Sequence, residues 1–298
     1  MLNNDRLLFL AELARLGSMR EVADELGTTT STVSQQLAVL AKEAGTALLE
    51  PDGRRVRLTP AGRRLARHAV TILAAVEAAR LDLDPSAEPA GTVRVAGFAT
   101  AIRRSLLPIV AALPARHAAL RVLIHEHEPA ETLQLLSADE VDLGLTYDYN
   151  LAPVGFPDTV EATPLWTTSW SLGVPTGATV DGEARQVFHA FRDAHWLVNS
   201  RNTADEDVVR TVASMAGYSP RITHRADSLD LIQDLIVAGL GVGLLPADQP
   251  TIDGVALVPL RRPDVLMRTY AVTRLGRRAW PPLAAVLDLI TQGAAARP

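Results

Sequence analysis

Through the first eighty residues, apolar positions recur every three or four residues, the spacing of helices that each bury one face. Leu7, Leu10, Leu13 and Ala14 mark a first helix over 5–16. Ser18 followed by Glu21 reads as a capping box for a second, whose apolar face is Val22, Ala23 and Leu26. Gly27 breaks that helix at a turn needing positive φ. Thr29 or Thr30 caps a third helix with Val33, Leu37 and Leu40 on its face and Gly45 as its C-terminal cap. Two short helices across a Gly turn, with small Ala23 where they meet, predict a helix-turn-helix.

Beyond Gly45 the pattern alternates. Asp52-Gly53 is a hairpin-turn dipeptide, and Val56 and Leu58 alternate with Arg55 and Arg57, so 46–58 reads as a β-hairpin wing. Thr59-Pro60 opens a long helix in which Leu65, Ala69, Ile72, Val76, Ala79 and Leu83 are separated by 4, 3, 4, 3 and 4 residues. That heptad seam points to a partner helix, or to packing against the chain's own domain. Its rod is roughly 37 Å long at 1.5 Å per residue. The Pro and Gly of 84–91 mark a linker.

From Thr92 onward short apolar runs alternate with helical stretches. Strands are expected over 93–98, 120–126 and 141–147, with helices over 102–113, bent at Pro108, and 131–137. A second set follows: strands near 170–174, 195–199, 221–225, 241–245 and 268–273, and helices over 206–216, 229–238 and 283–292. Such alternation predicts a mainly parallel sheet covered on both faces, in two lobes enclosing a ligand cleft. The chain would cross between lobes near Ala162–Trp166 and Pro263–Arg268.

Length and composition narrow the function. The 298 residues suffice for two or three domains, and 48% hydrophobic with 21% charged content is that of a soluble globular protein. The first residues lack the pattern of a signal peptide, and the most apolar stretch, 235–245, is too short to span a bilayer and carries three glycines. A cytoplasmic protein is expected. With no cysteine, disulfides, thiolate metal sites and thiol redox sensing are excluded.

The net charge of −5 hides a local basic stretch: Arg54, Arg55, Arg57, Arg63, Arg64 and Arg67, without an acid among them. It suits a DNA backbone, and equally an ordinary solvated face. More specific are the non-core positions of the third helix, Thr30, Ser31, Thr32, Ser34, Gln35 and Gln36. These are neutral hydrogen-bonding groups suited to base edges in the major groove.

No nucleophile elbow, phosphate-binding Gly loop or paired metal ligands argue for an enzyme, so no catalytic residue, metal or cofactor is assigned. His125 and His127, in the run HEHE, share one strand face and read either as metal ligands or as a polar strand end.

In order and spacing these segments resemble the LysR-type transcriptional regulators. The resemblance rests on GSMREVADELGTTTSTVSQQLAVL, GRRVRLTPAGRRL (53–65), GTVRVAGF (91–98), LLPIVAAL (106–113), EVDLGL (140–145) and VAGLGVGLLP (237–246). It implies an N-terminal α-rich winged helix-turn-helix over 1–58 and a dimerising linker helix and hinge over 59–90. An α/β two-lobed, periplasmic-binding-protein-like effector domain over 91–298 follows. Its subdomain I is expected at about 91–164 and 266–298, and subdomain II at about 165–265.

The implied DNA contacts are Thr30, Ser31, Thr32, Ser34, Gln35, Arg54 and Arg55. Implied effector contacts are Thr100, Ala101, Thr146, Tyr147, Ser200, Asn202, Thr203, Asp227 and Ser228, although Thr100, Thr203 and Ser228 also suit helix N-caps. Helix starts converging on a cleft favour an anionic or strongly polar metabolite. The implied partners are promoter DNA, further copies in a dimer or tetramer, a small co-inducer and RNA polymerase, with no membrane.

Two departures from the family pattern stand out, over three positions. Leu49 and Pro51 stand where Phe and Arg are common in the wing, and Gln35 stands where many relatives carry Arg.

Overall fold

The computed structural model describes residues 2–52, 55–84, 88–178 and 180–295. Helices α1 (Asn4–Leu16), α2 (Met19–Glu25) and α3 (Thr30–Ala44) precede a hairpin of β1 (Leu49–Asp52) and β2 (Arg55–Leu58) and the long α4 (Pro60–Leu83). Asn3, Thr29 and Thr59 cap α1, α3 and α4, each side chain accepting from a first-turn amide. Gly27 and Gly45 take the positive φ expected of them. The capping box at Ser18 does not form: Ser18 precedes α2, but its hydroxyl makes no cap bond. Contacts from α1 and α3 hold this short helix instead.

Leu7, Leu10 and Leu13, Val22 and Ala23, and Val33, Leu37 and Leu40 meet in one buried core. Ala66, Ala69 and Val70 of α4 complete it. Gly62 lets α4 start against the wing's base, since a Cβ there would lie 2.1 Å from the Leu48 carbonyl oxygen. The Thr59 hydroxyl fastens the same junction by donating to the Ala47 carbonyl at 2.8 Å.

The remaining chain forms β3 (Gly91–Gly97), α5 (Ala99–Ala101), a π-turn (Ile102–Leu106), α6 (Leu107–Arg116), β4 (Leu120–Glu126), α7 (Pro129–Ser137) and β5 (Leu143–Tyr149). The bend expected at Pro108 is this π-turn, which ends where proline removes an amide from the helix ladder. The second half contains β6 (Val160–Pro175), α8 (Ala184–Ala190), β7 (His195–Val198), α9 (Ala204–Met215), β8 (Arg221–Arg225) and α10 (Leu229–Val237). It finishes with β9 (Val242–Pro246), β10 (Val255–Pro259), β11 (Val265–Arg274) and α11 (Pro281–Ala295).

The sheet order is β4-β3-β5-β11-β6-β9-β7-β8, with β10 on β6. It is mixed, not mainly parallel. Pairing is parallel around β3 and around β7, but β6 and β11 run antiparallel to every strand they touch. These two long strands are the crossings between lobes. The sequence predicts only part of each as strand, near 170–174 and 268–273, because Pro164 and Glu161 interrupt the apolar alternation of β6. Pairing with β11 overrides that local signal, and a bulge between Thr269 and Tyr270 absorbs Leu165. α8 and β10 also escape the sequence reading, being short elements held by packing on neighbours.

Candidate DNA-reading face and ligand cleft

Because Val33, Leu37 and Leu40 turn inward, α3 must present its opposite side to solvent. Thr30, Ser31, Ser34 and Gln35 are exposed there. Thr32 is not free in the same way: it is half-buried and its hydroxyl lies 2.9 Å from that of the capping Thr29. Gln36 accepts from Arg6 Nε at 3.0 Å, and Arg6 also pairs with Glu43, so that side of α3 is tied to α1.

In the wing, Arg57 faces Glu50 across the hairpin at 2.8 Å, and Arg63 Nη1 donates to the Leu58 carbonyl at 2.6 Å. Arg64 and Arg67 are exposed. Arg54 and the Arg55 side chain lie outside the described residues.

The seam of α4 divides. Ala69 is fully buried in the chain's own core, with Leu65 and Ile72 packed against it. This corrects the reading of Ala69 as a partner-facing residue: its methyl has no surface left to offer. Val76 is half-buried, whereas Ala79 is exposed and Leu83 is 85% exposed.

Between the lobes lies a cavity of about 850 Å³. One side is formed by the start of α5 with its π-turn, the β4–α7 junction and Tyr147 of β5. The other comes from the loop before α9, the start of α10 and the residues after β9. Trp170 and Met267 form its floor at the crossing strands. Of the predicted effector residues, Thr100, Tyr147, Asp227 and Ser228 line this cavity.

Others do not. Ala101 is buried in the lobe core, and Thr146 points to the opposite sheet face from Tyr147, as alternation along β5 requires. Ser200 and Thr203 are exposed and engaged with Asp227 and Asp207 respectively. Asn202 stands behind the wall, donating to Glu128 Oε2 at 2.7 Å and to the Tyr147 oxygen at 3.1 Å. Ser228 is the N-cap of α10; Thr203 precedes α9 without capping it, and Thr100 lies inside α5 rather than capping it.

The deepest polar groups were missed from the sequence. Glu128 is 5% exposed and accepts from the Tyr147 hydroxyl at 3.2 Å. Burial and the nearby Asp227 charge raise its pKa. Asp205, 3% exposed, accepts from the Tyr149 hydroxyl at 2.7 Å, and its amide donates to Asn199 Oδ1 at 3.1 Å. Burial pushes its carboxyl up to about 7, with Glu128 and Asp227 adding to the shift and the Tyr149 hydroxyl opposing it. Burial also works upward on Asp227. There the Ser200 hydroxyl, two loop amides and Arg201 win, and its pKa is lowered. Glu128 was visible only as the end of HEHE. His125 and His127 stack 6.4 Å apart, and among the described residues no group of three or more His, Asp and Glu could hold a metal ion.

A helix-turn-helix with a neutral hydrogen-bonding outer face, joined by a long helix to a two-lobed domain with an interlobe cavity, defines a ligand-responsive DNA-binding regulator. The model for the bacterial regulatory helix-turn-helix protein, lysR family, matches residues 5–63, and that for the LysR substrate binding domain matches residues 86–295. The chain therefore belongs to the LysR family and is a LysR-type transcriptional regulator with a DNA-binding and an effector-binding domain.

Relatives include the transcriptional dual regulator GltC of Bacillus subtilis, 25% identical over 259 residues, covering 85% of this chain and 84% of that protein. A probable hydrogen peroxide-inducible genes activator of Mycobacterium avium is 28% identical, covering 86% of this chain and 79% of its own. Among solved structures, a full-length cysteine-to-aspartate variant of OxyR from Pseudomonas aeruginosa superposes with TM-score 0.71 at 18% identity, over 99% of this chain and 95% of that one. Full-length CbnR complexed with its target DNA gives 0.52 at 21% identity, over 98% and 100% of the two chains. No helix among the described residues is long and apolar enough to cross a membrane.

Proposed function

We propose that this regulator reads promoter DNA through Thr30, Ser31, Ser34 and Gln35 of α3, with Thr32 holding the helix start. The arginines of the wing and of early α4 hold the backbone. The exposed side of α3 carries this reading: hydroxyl and amide groups offer donors and acceptors to base edges without the unselective pull of a charged face. Two copies associate through the end of α4, where Ala79 and Leu83 are exposed. A small metabolite between the lobes then alters how the copies sit on DNA and how they meet RNA polymerase, in the cytoplasm.

A ligand can do this only through its difference in affinity for two arrangements, typically about 1–3 kcal/mol. Peroxide sensing by a thiol does not carry over from the peroxide-responsive relatives, because this chain has no cysteine to oxidise.

Footprinting on the DNA upstream of its own gene and of neighbouring genes tests the reading. Gln35→Ala should weaken the protected site by about 1–3 kcal/mol while leaving random DNA unaffected. Equal affinity of wild type for promoter and random DNA at every salt concentration would refute it.

A further inference from the structure

The walls of the interlobe cavity are unequal in charge. Glu126, Glu128, Asp205, Asp227, Asp230 and Asp248 line it against Arg103, Arg104 and Arg201, twice as many carboxylates as guanidinium groups. Two of the arginines are already engaged. Arg104 pairs with Asp248 at 2.8 Å and lies over the Trp166 ring at 4.3 Å. Arg201 reaches from one lobe to four carboxylates at once: Asp227 at 3.2 Å, Glu131 at 3.5 Å, and Glu126 and Glu128 at 3.8 Å each. One cation spread over four anions leaves each incompletely neutralised.

Of the helix starts at the cavity, those of α7, α9 and α10 each carry their own acid, whereas that of α5 carries none. Glu128 stands at the N-cap of α7, and Glu131 in its first turn accepts from the Glu128 amide at 3.0 Å. Asp205, Glu206 and Asp207 occupy the first turn of α9, and Asp230 that of α10. The positive ends of α7, α9 and α10 are thus answered from within the chain. A ligand carboxylate or phosphate at these three starts would lie beside Glu128 and Asp205, which already repel one another and Asp227.

A second, independent feature lies on the floor. Trp170 lines the cavity, is 6% exposed, and its indole N–H is buried with no acceptor among the described residues. Such a donor calls for an acceptor atom on the body of a bound molecule, while the face of the same indole is the strongest aromatic partner for a cation.

We propose that the cleft binds an organic cation, a small amine or guanidine whose charged group sits among Glu128, Asp205 and Asp227 and whose body lies against Tyr147 and Trp170. This names the ligand class for the effector site proposed above and rests on that reading. Arg201 is then an internal stand-in for the ligand: the incoming cation takes over its carboxylates and loosens the bridge that Arg201 makes between the lobes.

The test is calorimetry of the full chain at millimolar ligand with agmatine, putrescine and benzylamine, against succinate and benzoate as anionic controls. The same molecules are then added to a promoter-binding assay. At least one of the cations should bind. Glu128→Gln, which keeps an acceptor for Tyr147 and Asn202, should weaken it by about tenfold or more. Arg201→Gln, which removes the competitor, should tighten it instead. A purely structural role for Arg201 gives the opposite sign, and this second variant keeps the test open if Glu128→Gln folds poorly.

Binding of a cation without any change in promoter affinity upholds the ligand class and overturns the effector reading. Binding of an anion that changes promoter affinity, with all three cations inert, upholds the effector reading and overturns the ligand class. Failure of every cation to bind, or unchanged affinity in both variants, also overturns it.

Discussion

Asp205 offers the sharpest test of the electrostatics in the cleft. Its carboxyl is buried beside Glu128 and Asp227, and its pKa is raised from 3.8 to about 7 in the folded chain. Between those two values the folded state binds more protons than the unfolded state. Stability therefore falls as pH rises through this window and levels off above it. A shift of about three units at 1.36 kcal/mol each sets a ceiling of roughly 4 kcal/mol.

Asp205→Asn removes the titrating group while its Oδ1 can still accept from Tyr149. The perturbation is followed by urea unfolding with tryptophan fluorescence, since Trp170 and Trp196 are both buried in the effector-domain core. Between about pH 5 and pH 8.5, wild type should lose roughly 3 kcal/mol that the variant retains. Parallel stability curves for the two proteins would refute the reasoning: either the carboxyl is ionised at ordinary pH, or its surroundings relax enough to solvate it.

Two further outcomes follow from the DNA-binding half. Leu83→Glu alters a side chain that is 85% exposed, so thermal stability of the chain should hold. If α4 pairs there, sedimentation should show association weakened by about 1.5–3 kcal/mol, the value of burying one leucine. Gly62→Ala places a Cβ against the Leu48 carbonyl and should destabilise the helix-turn-helix core by about 1–3 kcal/mol in a melt, with DNA affinity falling in step.

What the sequence by itself determined was local. The core faces of α1, α2 and α3, the caps at Thr29 and Thr59, the turn at Gly27 and the polar outer face of α3 all depend on residues within about a turn or two of one another. Such patterns are written in adjacent residues and survive into the fold nearly unchanged. The cap at Ser18 failed because α2 is so short that contacts with α1 and α3, not its own first turn, decide its geometry.

The cleft obeyed no such rule. Its predicted residues were mostly polar groups at strand ends, loops and helix starts, and much of what matters there lies elsewhere: Glu128 after β4, Trp170 on β6, Asp205 two residues past the named loop. They meet only because β6 and β11 pair through both lobes and carry distant segments to one place. The local sequence of the first half of β6, with Pro164 in its path, argues against a strand, and pairing with the neighbouring β11 makes it one. The charge of a site is a sum over side chains brought together from across the chain. The excess of carboxylates over arginines in this cavity was therefore a property of the tertiary structure alone.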